Sequence, residues 1–214
     1  MWCYLMHDYS DKAVHFLYVH CLDMNWSPNV TVCLWRCRTA ALYFDSDEIV
    51  RVSCIINTRG KHYNMHIPKG YYGNAFAYPA TCSKAEILCR NPLGYAVELV
   101  KQAKAQMSEE HIRSVADLMA IIGRRTNYVT QGNFIVSDLT RSGMAELDFR
   151  WGKPLYGGTA DSVSLISFYM KYRKSEGENE IVVPICLPLS AMTKFQEEIK
   201  KMIKGPPTET LCKL

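Results

Sequence analysis

Ile49 to Asn57 reads Ile-Val-Arg-Val-Ser-Cys-Ile-Ile-Asn, a β-branched run with little polar relief. Branching at Cβ suits a pleated strand better than a helix, and the near-continuous apolar character leaves little surface for water. The run therefore predicts a largely buried strand, and a buried strand requires a sheet with cover. Leu93 to Met107 offers cover, because Leu93, Val97, Val100 and Lys104 fall at helical spacing while Lys101 and Gln102 point to solvent. Ser108 is placed to cap a second helix, with Glu109 and Glu110 in its first turn and Gly123 ending it after about Ile122. A last amphipathic helix is capped by Ser190, turns Phe195, Ile199 and Met202 inward, carries Lys200, Lys201 and Lys204 near its end, and stops at Gly205-Pro206. Val30 to Leu42 is apolar with Arg36 and Arg38 interspersed, and reads as a helix with a basic edge or, from its β-branched start, as a strand. Thr126 to Ser137, Ser162 to Tyr172 and Ile181 to Leu187 are further strands, Tyr78 to Leu88 is ambiguous, and Thr58 to Tyr72 is a loop. This order predicts an α+β (mixed α/β) fold, a mixed sheet covered by helices.

Composition narrows the function classes. The 214 residues suffice for one domain or a tight pair. Lys and Arg number 25 against 21 Asp and Glu, and they are interleaved, so nothing supports nucleic-acid binding, while a small anionic ligand fits. Nine cysteines, an odd number scattered through apolar runs, read as free thiols of a reducing compartment. Cys33 and Cys37 have no second pair at metal spacing, and His62 and His66 lie in a loop with Pro68, Gly70 and Gly73, so no metal site is expected. No secretory signal or transmembrane helix is legible, which predicts a cytoplasmic protein without a membrane partner. Residues 1–28 crowd tyrosines, tryptophans, histidines and cysteines without a period, and Trp26-Ser27-Pro28-Asn29 reads as a break. The expected organisation is a leader at 1–28, a domain at 29–205 and a tail at 206–214.

Asp148-Phe149-Arg150-Trp151-Gly152 joins a carboxylate, two large rings and a glycine ahead of Lys153-Pro154. By itself it reads as a turn that buries Phe149 and Trp151 and ties Asp148 to a neighbouring arginine. Read with Gly70-Tyr71-Tyr72-Gly73-Asn74-Ala75-Phe76-Ala77, Leu34-Trp35-Arg36-Cys37-Arg38-Thr39, Asn91-Pro92-Leu93-Gly94-Tyr95-Ala96, Arg113-Ser114-Val115-Ala116-Asp117-Leu118-Met119 and Val182-Val183-Pro184-Ile185-Cys186-Leu187-Pro188, it resembles the BAHD family of plant acyl-CoA-dependent acyltransferases, in its alcohol acyltransferase branch. The likeness runs from about residue 29 to 204 and falls on the family's C-terminal half.

The resemblance implies a chloramphenicol-acetyltransferase-like domain, one of two that enclose a channel entered by acyl-CoA and a small alcohol from opposite faces. It implies a monomer with no resident cofactor, acyl-CoA being a co-substrate and a benzoyl group passing to benzyl alcohol a representative reaction. A histidine of an H-x-x-x-D motif acts as general base in this family, and a preorganised donor receives the oxyanion. His7 and Asp11 fit that pattern in His7-Asp8-Tyr9-Ser10-Asp11, though the family sets the motif much further from the Leu-Trp-Arg-Cys run; an exposed histidine in the leader is the other reading. Arg59 falls where the family places an arginine that pairs with the motif's aspartate. Ser137 and Asp138 fall on the strand end facing the channel, where a hydroxyl could serve the oxyanion. Tyr72 and Asn74 are expected to order the loop beneath the site. Asp148, Phe149, Trp151 and Gly152 are expected to be structural, and Arg150 stands where the family has glycine, at a cost of about 1 kcal/mol if φ there is positive. The resemblance leaves two functions open: an acyl-CoA-dependent O-acyltransferase homologue, or a catalytically incomplete fragment without the N-terminal catalytic domain.

Overall fold

The computed structural model describes residues 4–9, 12–19, 26–59, 65–123, 129–159, 162–174 and 179–204. Its strands are β1 (Tyr4–Tyr9), β2 (Lys12–Val19), β3 (Ile49–Asn57), β4 (Phe76–Ala77), β5 (Ala80–Lys84), β6 (Asn133–Asp138), β7 (Ile166–Arg173) and β8 (Asn179–Pro188). Its helices are α1 (Trp26–Ala41), α2 (Ala85–Arg90), α3 (Leu93–Ala105), α4 (Glu109–Ile122) and α5 (Leu189–Lys204), with a short 3-10 turn at Met144–Glu146. All eight strands join one sheet in the order β1-β2-β8-β7-β6-β3-β4, with β5 pairing β3. β3, β6 and β7 run parallel; the other pairings are antiparallel. The sheet is thus mixed, as expected.

β8 explains the arrangement. From Glu180 to Leu187 every residue is buried, so strands must flank it and both faces must be covered. Along the chain Ile181, Val183, Ile185 and Leu187 alternate onto one face, where they join Met192, Phe195 and Ile199 of α5 and Val30, Val32, Leu34 and Trp35 of α1 in the core. α1 packs between α5 and α3. The short path from Pro188 straight into Leu189 returns the chain over its own strand, so Ser190 lies inside the first turn of α5, not at the expected cap.

Val30 to Ala41 is helical and Leu42 begins the turn after it, resolving the alternative the β-branched start left open. The helix begins earlier, at Trp26, so the expected break at Trp26-Ser27-Pro28-Asn29 is a helix start. Proline is tolerated there because a first-turn N–H has no partner to lose. The residues before it supply two strands. β2 pairs along its length with β8 from Lys12 opposite Pro188 to Val19 opposite Ile181, and Leu17 lies in the core.

The two arginines of α1 form no solvated basic edge. The Arg36 guanidinium donates to the Asn91 carbonyl at 2.8 Å. Arg38 is inserted toward the sheet, donating to the Ser164 carbonyl at 2.5 Å and the Cys186 carbonyl at 3.4 Å, with its guanidinium 5.2 Å from the Phe134 ring centroid. Burial lowers its pKa to about 10, which still leaves it charged at neutral pH. Among the described residues Cys33, Cys37, Cys54, Cys82, Cys89 and Cys186 are free thiols, as the odd, scattered cysteines suggested. Burial pushes Cys33 up to about 11 and raises Cys37 and Cys54 as well.

α4 has the caps foreseen for it: Ser108 Oγ accepts from the His111 N–H at 3.1 Å, and Gly123 closes it at φ 65°. Yet none of its residues is buried, and Val115, Leu118, Met119, Ile121 and Ile122 are exposed, so this helix does not cover the sheet. Among the described residues no helix is long and apolar enough to cross a membrane.

β6 starts at Asn133, later than expected, because Gly132 turns the chain beside β3. Its φ is +66°, its carbonyl accepts from Arg51 N–H at 2.7 Å, and a Cβ there would sit 2.8 Å from the Ile49 carbonyl oxygen. Both the left-handed backbone and the fixed neighbour oppose any side chain. Gly132→Ala is expected to lower the unfolding free energy by about 1 kcal/mol or more in urea denaturation; an unchanged midpoint would show that the β3–β6 pairing does not rest on this turn.

Candidate active site

The parallel trio sets the site. Ile55 pairs with Ser137, Ser137 with Phe168, and Asp138 with Tyr169, so the C-terminal ends of β3 and β6 and the middle of β7 lie side by side. Ligands of open α/β sheets gather at such ends, where strand termini release loops. Arg59, Ser137 and Asp138 all emerge there.

Ser137 and Asp138 face opposite ways. Phe134 and Val136 belong to the core beneath the helices, so strand alternation turns Ser137, itself buried, to the other face. Asp138 lies on the helix side next to Tyr169, whose hydroxyl shares a 2.8 Å hydrogen bond with Thr31 of α1. Its Oδ1 accepts from the Thr140 N–H at 3.0 Å and the Thr140 hydroxyl at 2.5 Å. Asp138 therefore turns the chain out of β6, while Ser137 stays buried on the sheet's other face. The Asp-x-Thr spacing at 138–140 is the sequence signal for this turn.

Arg59 clamps a loop. One guanidinium N–H donates to the Tyr71 carbonyl at 3.1 Å, another to the Gly73 carbonyl, and the plane lies 5.4 Å from the Tyr71 ring centroid. The Tyr71 hydroxyl closes the loop on the Asn74 carbonyl at 3.2 Å. Tyr71 and the Asn74 backbone, then, order this loop; Tyr72, expected to do so, is 99% exposed. Adjacent tyrosines in a turn cannot be told apart by spacing, which is why the sequence pointed to the wrong one.

His7 lies in β1, opposite Val14 of β2, at the far edge of the sheet. Three strands separate β1 from β6 and four separate it from β3. At about 4.8 Å per strand this is about 19 Å from Ser137's strand and about 24 Å from Arg59's, beyond hydrogen-bond reach. The structure does not bring His7 to the other candidates; Asp11 lies outside the described residues.

The Asp148 segment is a turn, but of a different kind from the one expected. Asp148 Oδ1 accepts from the N–H groups of Arg150 at 2.7 Å and Gly152 at 3.2 Å, so backbone donors, not an arginine side chain, hold it. Phe149 is 76% and Trp151 94% exposed, so the rings do not fill the core as expected. Arg150 has φ +72° and Gly152 φ +96°. The positive φ at 150 is the condition under which a non-glycine residue is strained. Among the described residues no three metal-binding side chains cluster.

The family described as Transferase family matches residues 27–202. The chain belongs to it, and so to the BAHD acyltransferases that its motifs resemble. It is 55% identical over 183 residues to alcohol acyl transferase 2 of Malus domestica, covering 86% of this chain and 39% of that protein. It is 52% identical over 193 residues to alcohol acyltransferase 1 of Actinidia deliciosa, covering 86% of this chain and 42% of that protein. The chain thus spans about two-fifths of the length of these curated relatives. Among solved structures, F. sporotrichioides TRI101, complexed with coenzyme A and T-2, superposes with a TM-score of 0.69 at 14% identity, over 90% of this chain and 50% of that one. Vinorine synthase gives 0.65 at 14% identity, over 87% of this chain and 46% of that one. These likenesses establish the fold.

Two substitutions test the local geometry. Arg150→Gly removes left-handed strain and is expected to raise the unfolding free energy by about 0.5–1 kcal/mol, the gain being trimmed by glycine's freedom in the unfolded chain; equal or lower stability would show that Arg150 is compensated. Arg59→Lys cannot reach two carbonyls with one planar group. It is expected to speed amide hydrogen exchange at residues 71–74 while β3 keeps its protection; unchanged exchange there would remove the clamp.

Proposed function

We propose that this chain takes part in acyl-CoA-dependent O-acylation of a small alcohol, as a BAHD C-terminal half of the alcohol acyltransferase kind. The observation that carries the reading is 55% identity, sustained over 183 residues, to a protein named alcohol acyl transferase. The donor is read as a coenzyme A thioester, in keeping with the coenzyme A bound to TRI101, and a benzoyl group passing to benzyl alcohol is the representative reaction.

The chemistry assigns limited parts to the residues described. An alcohol needs its proton removed as it attacks the thioester carbonyl, and coenzyme A leaves as the thiol. Ser137, buried near the end of β6 on the face away from the core helices, is the hydroxyl assigned here as donor to the developing oxyanion. Arg59 shapes the neighbouring wall by holding Tyr71 and Gly73. His7 stands on the sheet's opposite edge, so the general base is assigned outside this cluster.

That placement, with a match to about two-fifths of the relatives' length, favours a second reading: the chain alone is a catalytically incomplete part. Thiol release from benzoyl-CoA with benzyl alcohol separates the two. Turnover by the purified chain, falling about tenfold or more in Ser137→Ala at unchanged KM, supports the enzyme reading and the oxyanion role. Turnover untouched by Ser137→Ala overturns that role. Absence of turnover in a folded chain that still binds coenzyme A establishes the incomplete part, and restoration by an added H-x-x-x-D domain identifies what was missing. His7→Ala is expected to leave any turnover unchanged; its loss would return His7 to the site.

A further inference from the structure

β8 is matched unequally on its two sides. β7 stands in register with it only from Asn179 to Val182, so from Val183 to Pro188 β2 is its strand partner among the described residues. β2 runs the whole way, from Lys12 opposite Pro188 to Val19 opposite Ile181. Leu17 stands opposite Val183, and the two are 1% and 0% exposed in the core that α5 covers. β2 also touches α5. If β2 were removed, the strand order would end at β8. A ten-residue strand, buried from Glu180 to Leu187, would then present a row of unpaired N–H and C=O groups, a template for any extended chain. The β1–β2 hairpin moves the edge outward to β1, which has six residues. Short edge strands guard against such pairing. The slot and its occupant have different origins: β8 lies within the stretch that the family model matches, residues 27–202, and β1 and β2 lie before it.

We infer that the edge of β8 is a docking site for an extended apolar peptide, and that residues 12–19 fill it in cis as a cap. Recognition is that of an added antiparallel strand. Main-chain hydrogen bonds along the eight residues of β2 give affinity, and the closed space at Leu17 gives selection. That space takes an apolar side chain; a carboxylate there would be buried away from water and without a partner. With the hairpin in place the edge is sealed against strands from other chains. The inference stands apart from the acyl-CoA reading, since it uses neither the transfer chemistry nor the Ser137 strand end.

Amide hydrogen exchange on the full chain tests this, with a synthetic peptide of residues 12–19 as the probe. Leu17→Asp is expected to speed exchange of the β8 amides between Val183 and Leu187 by about tenfold or more, while β3 and α3 keep their protection. The wild-type peptide, added in excess to this variant, is expected to restore protection in β8. The same peptide carrying Leu17→Asp is expected not to. Unchanged β8 exchange in the variant overturns the cap. No restoration by the wild-type peptide, or equal restoration by both peptides, overturns the docking site. If Leu17→Asp does not fold, Leu17→Ala takes its place with the same readout. Protection lost from β3 and β8 alike in that milder variant makes the hairpin an inseparable part of the core and overturns the site.

Discussion

The burial of β8 on both faces and both edges is the constraint on which the molecule depends. A strand with no solvent-facing side chain from Glu180 to Leu187 must be central, so β2 and β7 flank it and α5 doubles back over it. That centre fixes the rest by adjacency. β7 brings β6 and β3 alongside in parallel, and parallel pairing aligns their C-terminal ends, which is where the candidate site lies. α1 is locked against this layer by Arg38. A half-buried guanidinium held by two main-chain carbonyls and an aromatic face ties the helix to the strand ends by directional bonds as well as apolar contact.

Periodicity made the elements whose burial is one-sided or complete legible: β3, β8, α3 and the inward face of α5 follow directly from the apolar pattern. Caps with a dedicated residue, Ser108 and Gly123, were legible for the same local reason. What escaped was decided by partners distant in sequence. β1 and β2 carry no clear alternation, and their place comes from the free edge of β8. Arg38 looked like a solvated cation because nothing near it in sequence names the carbonyls it meets. Phe149 and Trp151 looked like core because large rings usually are, yet their turn is built from the Asp148 carboxylate and backbone N–H groups and needs no burial.

The site shows the same division. Residue types and motif positions carried Arg59, Ser137 and Asp138 to one sheet end. Their roles depended on pleat and loop closure: neighbouring positions of a strand face apart, so Ser137 and Asp138 part company, and the clamp on Tyr71 redefines Arg59 as an organiser of the wall. H-x-x-x-D was the weakest signal because two residues at a fixed spacing contain no information on which strand edge they occupy, and the strand order places His7 far from the others. Arg150, by contrast, was readable from a single substitution against a motif, since glycine in such a place states a backbone angle.

The buried thiols of α1 and β3 bear on reactivity in another way. Thiolates, not thiols, are the nucleophilic form of cysteine, and burial holds Cys33 and Cys37 of α1 and Cys54 of β3 in the protonated form at neutral pH. A cysteine-rich chain is thus kept from thiolate chemistry in its own interior. Cys82 on β5 is exposed instead, which makes it the most accessible thiol among those described.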